Sequence, residues 1–223
     1  MTSSVVANNK MNRGRRCLGK NSYQKDLIFN PIDFLEERLL NNESVSWLDF
    51  CCGEGHALIE AAEIFADFSN NKNSSNNLQI VGIDLGGIFQ EFSSELKHLS
   101  LLEMPIEDFK PTQDFDLITC VHGLHYIGDK LSVIQKAASM LKEDGVFMAN
   151  LELKSLKIFG KEHPNRTFSE FLRKQKFTVD SRRHLLILRG KRNFDLPFEY
   201  LGGDDQAGPN YTGQAAVDSY YKF

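Results

Sequence analysis

The stretch Trp47 to Ala62, WLDFCCGEGHALIEAA, constrains the fold more than any other part of the chain. An apolar run stops at Gly53 and Gly55, and an Ala-rich run at helical spacing follows. A strand, a glycine turn and a helix in that order begin an α/β unit. Glycine tolerates positive φ and lets another group approach the bare backbone. The helix beyond it offers unpaired N–H groups to an anion or a polar ligand. Taken alone, the GEG triplet fits a tight turn with no ligand as well as a nucleotide cradle.

Further strands and helices alternate along the chain. Pro31–Leu40 opens with the proline that suits a first helical position. Val45–Cys51 reads as a strand and Ala57–Phe68 as a helix. Ser69–Asn77 is a low-complexity polar loop. Leu78–Ile83 reads as a buried strand, Phe89–Lys97 as a helix, and His98–Met104 and Phe115–Val121 as strands. Asp129–Leu141 reads as a helix, Gly145–Leu153 as a strand, and Thr167–Lys176 as a helix with Thr167 at its N-cap. Phe177–Asp180 and His184–Arg189 are spaced to pair as a hairpin. This alternation implies an α/β fold with a parallel sheet covered on both faces. Ligands of such sheets bind beyond the carboxyl ends of the strands.

Asp84 directly follows LQIVGI, at a strand's carboxyl end. A carboxylate there can accept from both ribose hydroxyls of an adenosine. It lies further from Gly55 than the roughly 20 residues of the dinucleotide fingerprint, and the polar loop accounts for the excess. The full fingerprint fails because GEGHAL ends in Leu58, which disfavours a nicotinamide dehydrogenase. A Walker lysine is absent too. An adenosine ligand without a pyrophosphate fits best.

The ordered segments LDFCCGEGHAL, IVGIDLG, FDLITCVHGLHYIGD and LKEDGVFMANLEL resemble the successive motifs of class I S-adenosylmethionine-dependent methyltransferases. The resemblance runs from Leu48 to Leu153. It implies a Rossmann-like, doubly wound, mostly parallel seven-stranded sheet with a C-terminal antiparallel hairpin. It implies S-adenosyl-L-methionine as cofactor, with Asp49, Cys51, Gly53 and Gly55 around its methionine and ribose portions. Asp84 would hold the ribose and Leu85 would pack on adenine. Met104, Pro105 and Ile106 would line the adenine edge, and Cys120, Val121 and His122 the methionine end. His122, His125 and Tyr126 are the candidates for catalysis. Tyr23, His125 and Tyr126 are the candidates for acceptor contact. The sequence departs from the family's pattern twice. Cys51 stands where the loop's first glycine usually stands. Pro105 stands where an adenine-binding carboxylate often occurs, with Glu103 and Glu107 as substitutes.

Three regions are expected on this resemblance: an N-terminal leader over 1–30 that caps the active site, a methyltransferase-like domain over 31–190, and an ordered C-terminal extension over 191–223. The extension carries Tyr200, Tyr211, Tyr220 and Tyr221, more aromatic residues than a disordered tail holds. Asp204, Asp205 and Asn210 become acceptor contacts if it covers the crevice.

The expected reaction is methyl transfer to an oxygen or nitrogen of a small molecule. The basic segments Arg13–Lys25 and Arg173–Arg192 leave an RNA or protein acceptor as an alternative. Cys51 and Pro105 leave a non-catalytic cofactor-binding module as another. A net charge of −4 argues against a dedicated nucleic-acid binder. Cys120 has no preceding proline and no NPPY-type sequence follows it, so neither cytosine-C5 nor exocyclic-amine chemistry is suggested. No zinc set is evident, since the pair His122 and His125 lacks a third ligand. The four cysteines form no CxxC pair. No apolar run reaches the roughly 18 residues of a membrane span, and no signal-peptide core is present, so the cytoplasm is the default location.

Overall fold

The computed structural model describes residues 14–41, 44–72 and 78–223. They fall into two compact units, 14–121 and 122–223, whose boundary lies inside the expected 31–190 domain. The expected leader is described only from residue 14, and residues 73–77 of the expected polar loop lie outside the described residues.

The first unit contains α1 (Tyr23–Leu27), α2 (Pro31–Leu40), β1 (Val45–Phe50), α3 (His56–Lys72), β2 (Leu78–Asp84), β3 (Leu99–Glu103) and β4 (Phe115–Cys120). α2 starts and ends where the sequence predicts: Asn30 Oδ1 caps Ile32 N–H at 3.0 Å and Pro31 sits in the first turn. β1 pairs in parallel with β2 on one side and β4 on the other, and β2 pairs in parallel with β3. All six residues of β1 are buried, as a strand covered on both faces requires.

The second unit contains α4 (Lys130–Ser139), β5 (Leu141–Asn150), β6 (Leu156–Ile158), α5 (Asn165–Lys174), β7 (Thr178–Asp180), β8 (Leu185–Arg189), β9 (Glu199–Asp204) and β10 (Asp218–Lys222). The predicted hairpin is present: β7 and β8 are antiparallel, and β8 is antiparallel to β5. The large sheet has seven strands in the order β3-β2-β1-β4-β5-β8-β7, the doubly wound α/β arrangement expected from the motifs. β6, β10 and β9 form a separate three-stranded sheet that the sequence reading lacks. No helix among the described residues is long and apolar enough to cross a membrane.

Four expectations are corrected. The helix expected to end at Phe68 runs on to Lys72, so the first four residues of the expected polar loop belong to α3. Phe89–Lys97 is irregular backbone, not a helix. Its backbone bonds go elsewhere: Gln90 N–H donates to Glu54 O, and Ser93 Oγ accepts from Glu95 N–H. A helix this short is marginal in water without a packed face, and here only Leu96 is buried. Thr167 is not an N-cap, because α5 already starts at Asn165 behind Pro164, whose fixed φ presets the first turn. β5 starts at Leu141 rather than Gly145 and ends at Asn150, so α4 is shorter than predicted.

Candidate active site

In the first unit the chain leaves β1 through a loop with alternating left-handed backbone. Cys51, Gly53 and Gly55 have φ of 58°, 63° and 80°. Cys52 N–H donates to Ile83 O, which ties the loop to the end of β2. Gly55 is required by its positive φ, and a Cβ there would also push the tip of Leu101, whose Cδ1 would lie 2.6 Å away. Gly55→Ala is expected to destabilise the fold by about 1–3 kcal/mol through strain and overpacking, read as a lowered urea midpoint. An unchanged midpoint would contradict this packing. Cys51 shows what the usual glycine avoids, since an L-residue in this region costs about 1–2 kcal/mol. Its thiol is hydrogen-bonded to Cys120, and this bond together with burial pushes its pKa well up.

Asp84, half-buried at the end of β2, holds this loop. Its Oδ2 accepts from Gly53 N–H at 3.0 Å and its Oδ1 from Gly86 N–H at 2.8 Å. A carboxylate has about four acceptor sites, so two remain for ligand hydroxyls. No helix follows Asp84, since residues 85–98 are irregular, so these bonds fix a turn and not a helix end. Leu85 beside it is 45% exposed, which leaves an apolar face of the kind a base packs on. Met104 is half-buried, Pro105 exposed and Ile106 buried. Of the two candidate glutamates, Glu103 is the one whose carboxyl lies against Gly87, in the turn after Leu85.

Asp49 is fully buried below the loop. Its Oδ2 accepts from Tyr23 Oη at 2.6 Å and its Oδ1 from Thr119 Oγ1, which itself accepts from Trp47 Nε1 at 2.8 Å. Asp49 and Thr119 face each other across the β1–β4 register. The structure thus turns Tyr23 inward, 3% exposed, and commits its hydroxyl to Asp49. Asp49 and Tyr23 are thus buried and bonded to each other at the end of β1.

Burial raises the Asp49 pKa to about 7, while the bonds from Thr119 and Tyr23 pull it down. An unfolded aspartate titrates near about 3.9. Between these values the folded state keeps a proton that the unfolded state has lost. The stability contributed by this group is full below about pH 4 and is lost as pH rises through about 7. Asp49→Asn removes the titration. Its stability relative to wild type is expected to rise by about 1–3 kcal/mol between pH 5 and pH 8 in urea unfolding. Parallel curves would contradict the buried, proton-holding Asp49.

In the second unit, His122 follows Val121 with φ of 58° and leads into a 3-10 turn over Gly123–Tyr126. Its N–H donates to Asn150 Oδ1 at 3.2 Å, at the end of β5. Its Nδ1 lies 3.3 Å from Tyr211 Oη. The Tyr211 ring stacks on His184 at 3.9 Å between centroids and meets His125 edge-on at 5.3 Å. Tyr126 Oη donates to Gln214 Oε1, and Val217 N–H donates to His125 O. His122, His125 and Tyr126 are all buried. The structure brings them together under the C-terminal extension, so the extension packs on this turn. Tyr211, His184 and Asn150 were missed in the sequence. Their partners are far along the chain, and no spacing rule links them.

The glycine loop after β1, the acid after β2 and the seven-stranded order are those of a class I methyltransferase fold. A family model described as a methyltransferase domain matches residues 21–196, and the chain belongs to that family. The family's cofactor is S-adenosylmethionine. Ubiquinone biosynthesis O-methyltransferase from Actinobacillus pleuropneumoniae is 26% identical over 62% of this chain and 59% of its own. The plantazolicin methyltransferase BpumL, solved with S-adenosylhomocysteine (SAH), is 16% identical, with a TM-score of 0.37 over 56% of this chain and 46% of its own. The sugar N-methyltransferase KedS8 from a Streptoalloteichus species is 21% identical, with a TM-score of 0.38 over 53% of this chain and 46% of its own. The chain thus spans between about half and three fifths of the length of these proteins.

Proposed function

We propose that this chain transfers the methyl group of S-adenosylmethionine to an oxygen or nitrogen of a small-molecule acceptor. The observation that carries it is the carboxylate of Asp84, held by Gly53 and Gly86 N–H groups with acceptor sites to spare. In this reading Gly53 and Gly55 let the loop close around the methionine and ribose portions, with Cys51 and Cys120 at the methionine end. Asp84 takes the ribose hydroxyls. Leu85, Met104, Pro105 and Ile106 flank adenine, and Glu103 supplies the carboxylate that Pro105 cannot. Asp49 and Tyr23 position the loop from beneath.

When bound, the cofactor supplies a methyl carbon on a cationic sulfur, which keeps the electron pair of the broken C–S bond. The chain's part is alignment, and removal of any proton that the acceptor sheds. His122 is assigned that proton, with Tyr211 Oη beside Nδ1 to orient the ring. His125 and Tyr126, tied to Val217 and Gln214, hold the turn in place. The region 191–223 serves as a clamp on this turn.

The test is incubation of the protein with methyl-labelled S-adenosylmethionine and a cell extract, followed by size fractionation. Label in the small-molecule fraction is the expected result. Label confined to RNA or protein would overturn the acceptor class.

A further inference from the structure

The second unit holds a cavity of about 200 Å³, walled by the stretch after β5 and the turn before β10. Glu152, Lys154, Ser155, Lys157, Asn210 and Asp218 supply its charged and polar lining. Lys154 Nζ lies 2.9 Å from Glu152 Oε1, and Lys157 Nζ lies 3.1 Å from Asp218 Oδ2. The wall therefore carries both signs of charge in equal number. Glu152 is 4% exposed, whereas the lysine that neutralises it has a side chain 62% exposed. A water-exposed ammonium on a buried carboxylate is a partner that a bound amine can displace.

Asn210 gives the cavity a direction. Its residue is 6% exposed, and its Oδ1 accepts from Thr212 N–H, Thr212 Oγ1 and Gln214 N–H. Three donors on one oxygen fix which way the amide points. The other end, Nδ2, is buried with no hydrogen-bond partner. Buried donors are rarely left unmade, and one that is calls for an oxygen from outside the chain. Asn210 also directly precedes Tyr211, whose hydroxyl meets His122. Glu152 lies just past Asn150, which takes the His122 N–H. Both walls thus continue from residues that hold His122.

We propose that this cavity binds a small zwitterion of the amino-acid kind. The ligand's carboxylate takes the Asn210 Nδ2 hydrogen, with the ammonium groups of Lys154 and Lys157 in the same lining. Its ammonium faces Glu152. The volume is below the roughly 300–1,000 Å³ of drug-sized sites and suits a molecule of amino-acid size.

The experiment is NMR of the full chain labelled with ¹⁵N, following the Asn210 side-chain amide. The probes are L-alanine, acetate and ethylammonium, with SAH titrated separately. L-alanine should shift the amide saturably, with acetate at least about tenfold weaker and ethylammonium without effect. Asn210→Asp keeps the oxygen that Thr212 and Gln214 bond and removes the donor. It should weaken L-alanine by at least about tenfold and leave SAH affinity unchanged. No shift with millimolar L-alanine, or acetate binding as tightly as L-alanine, would overturn the assignment. A shift with L-alanine but no SAH binding would instead overturn the methyl-transfer reading, while the cavity's ligand class stands.

Discussion

Lys130→Met is expected to lower stability by about 2–4 kcal/mol and to free the C-terminal extension for proteolysis. Lys130 is fully buried at the start of α4. Its ammonium donates to Ile127 O at 2.9 Å, Val217 O at 2.6 Å and Ser219 Oγ at 2.8 Å. Two of these acceptors belong to the extension. Hydrogen bonds from a charged donor contribute about 1.5–3 kcal/mol each, but burying the ammonium offsets part of that sum. The offset is visible in its pKa, which burial pushes down to about 7 against the pull of Asp218 and Asp129. Methionine fills the volume and leaves the three acceptors unsatisfied. The neighbouring bonds, Leu131 N–H to Tyr221 Oη and Tyr221 Oη to Asp129 Oδ1, sit on the same staple and would loosen with it. Urea unfolding and limited proteolysis past residue 190 read the two effects. An unchanged midpoint with an intact extension would contradict the clamp.

Asp84→Ala is expected to weaken S-adenosylmethionine binding by about 2–3 kcal/mol, roughly 30- to 150-fold. The alanine removes the acceptor proposed for the ribose. It also releases Gly53 and Gly86, so the loop loses the tie that holds it in its ligand-ready form. Asp84→Asn keeps one acceptor oxygen and should fall between, at about tenfold. Both released amides face water or half-exposed surface, so the unfolding midpoint should move by no more than about 1 kcal/mol. Calorimetric affinity that is the same in wild type and Asp84→Ala would remove Asp84 from the ribose.

The first unit was legible in the sequence because its signals are local. The Val45–Phe50 strand, the GEG turn, the helix after it and Asp84 after LQIVGI each follow from neighbours in the chain. Phe89–Lys97 misled because apolar spacing alone does not say whether a helix has anything to pack against. Tyr23 could be singled out by position, but not its bond to Asp49, which joins distant segments. The aromatic content of the extension does not say which residues its side chains reach. Tyr211 reaches His122, and Val217 reaches His125, across most of the second unit. β6, β9 and β10 are short, and they pair across long stretches of chain into a sheet that no local signal announces. Cys51 was visible as a departure from a glycine, and its left-handed backbone shows why the departure carries a cost.

The most direct test of the central claim is calorimetric titration of the purified chain with S-adenosylmethionine and with SAH, beside NADH. Micromolar binding of the first two, without NADH, is the predicted result, and it would make the loop from Cys51 to Gly55 an adenosyl sulfonium cradle. Binding of NADH, or silence from all three, would contradict it and leave Gly55 explained by its positive φ and by Leu101.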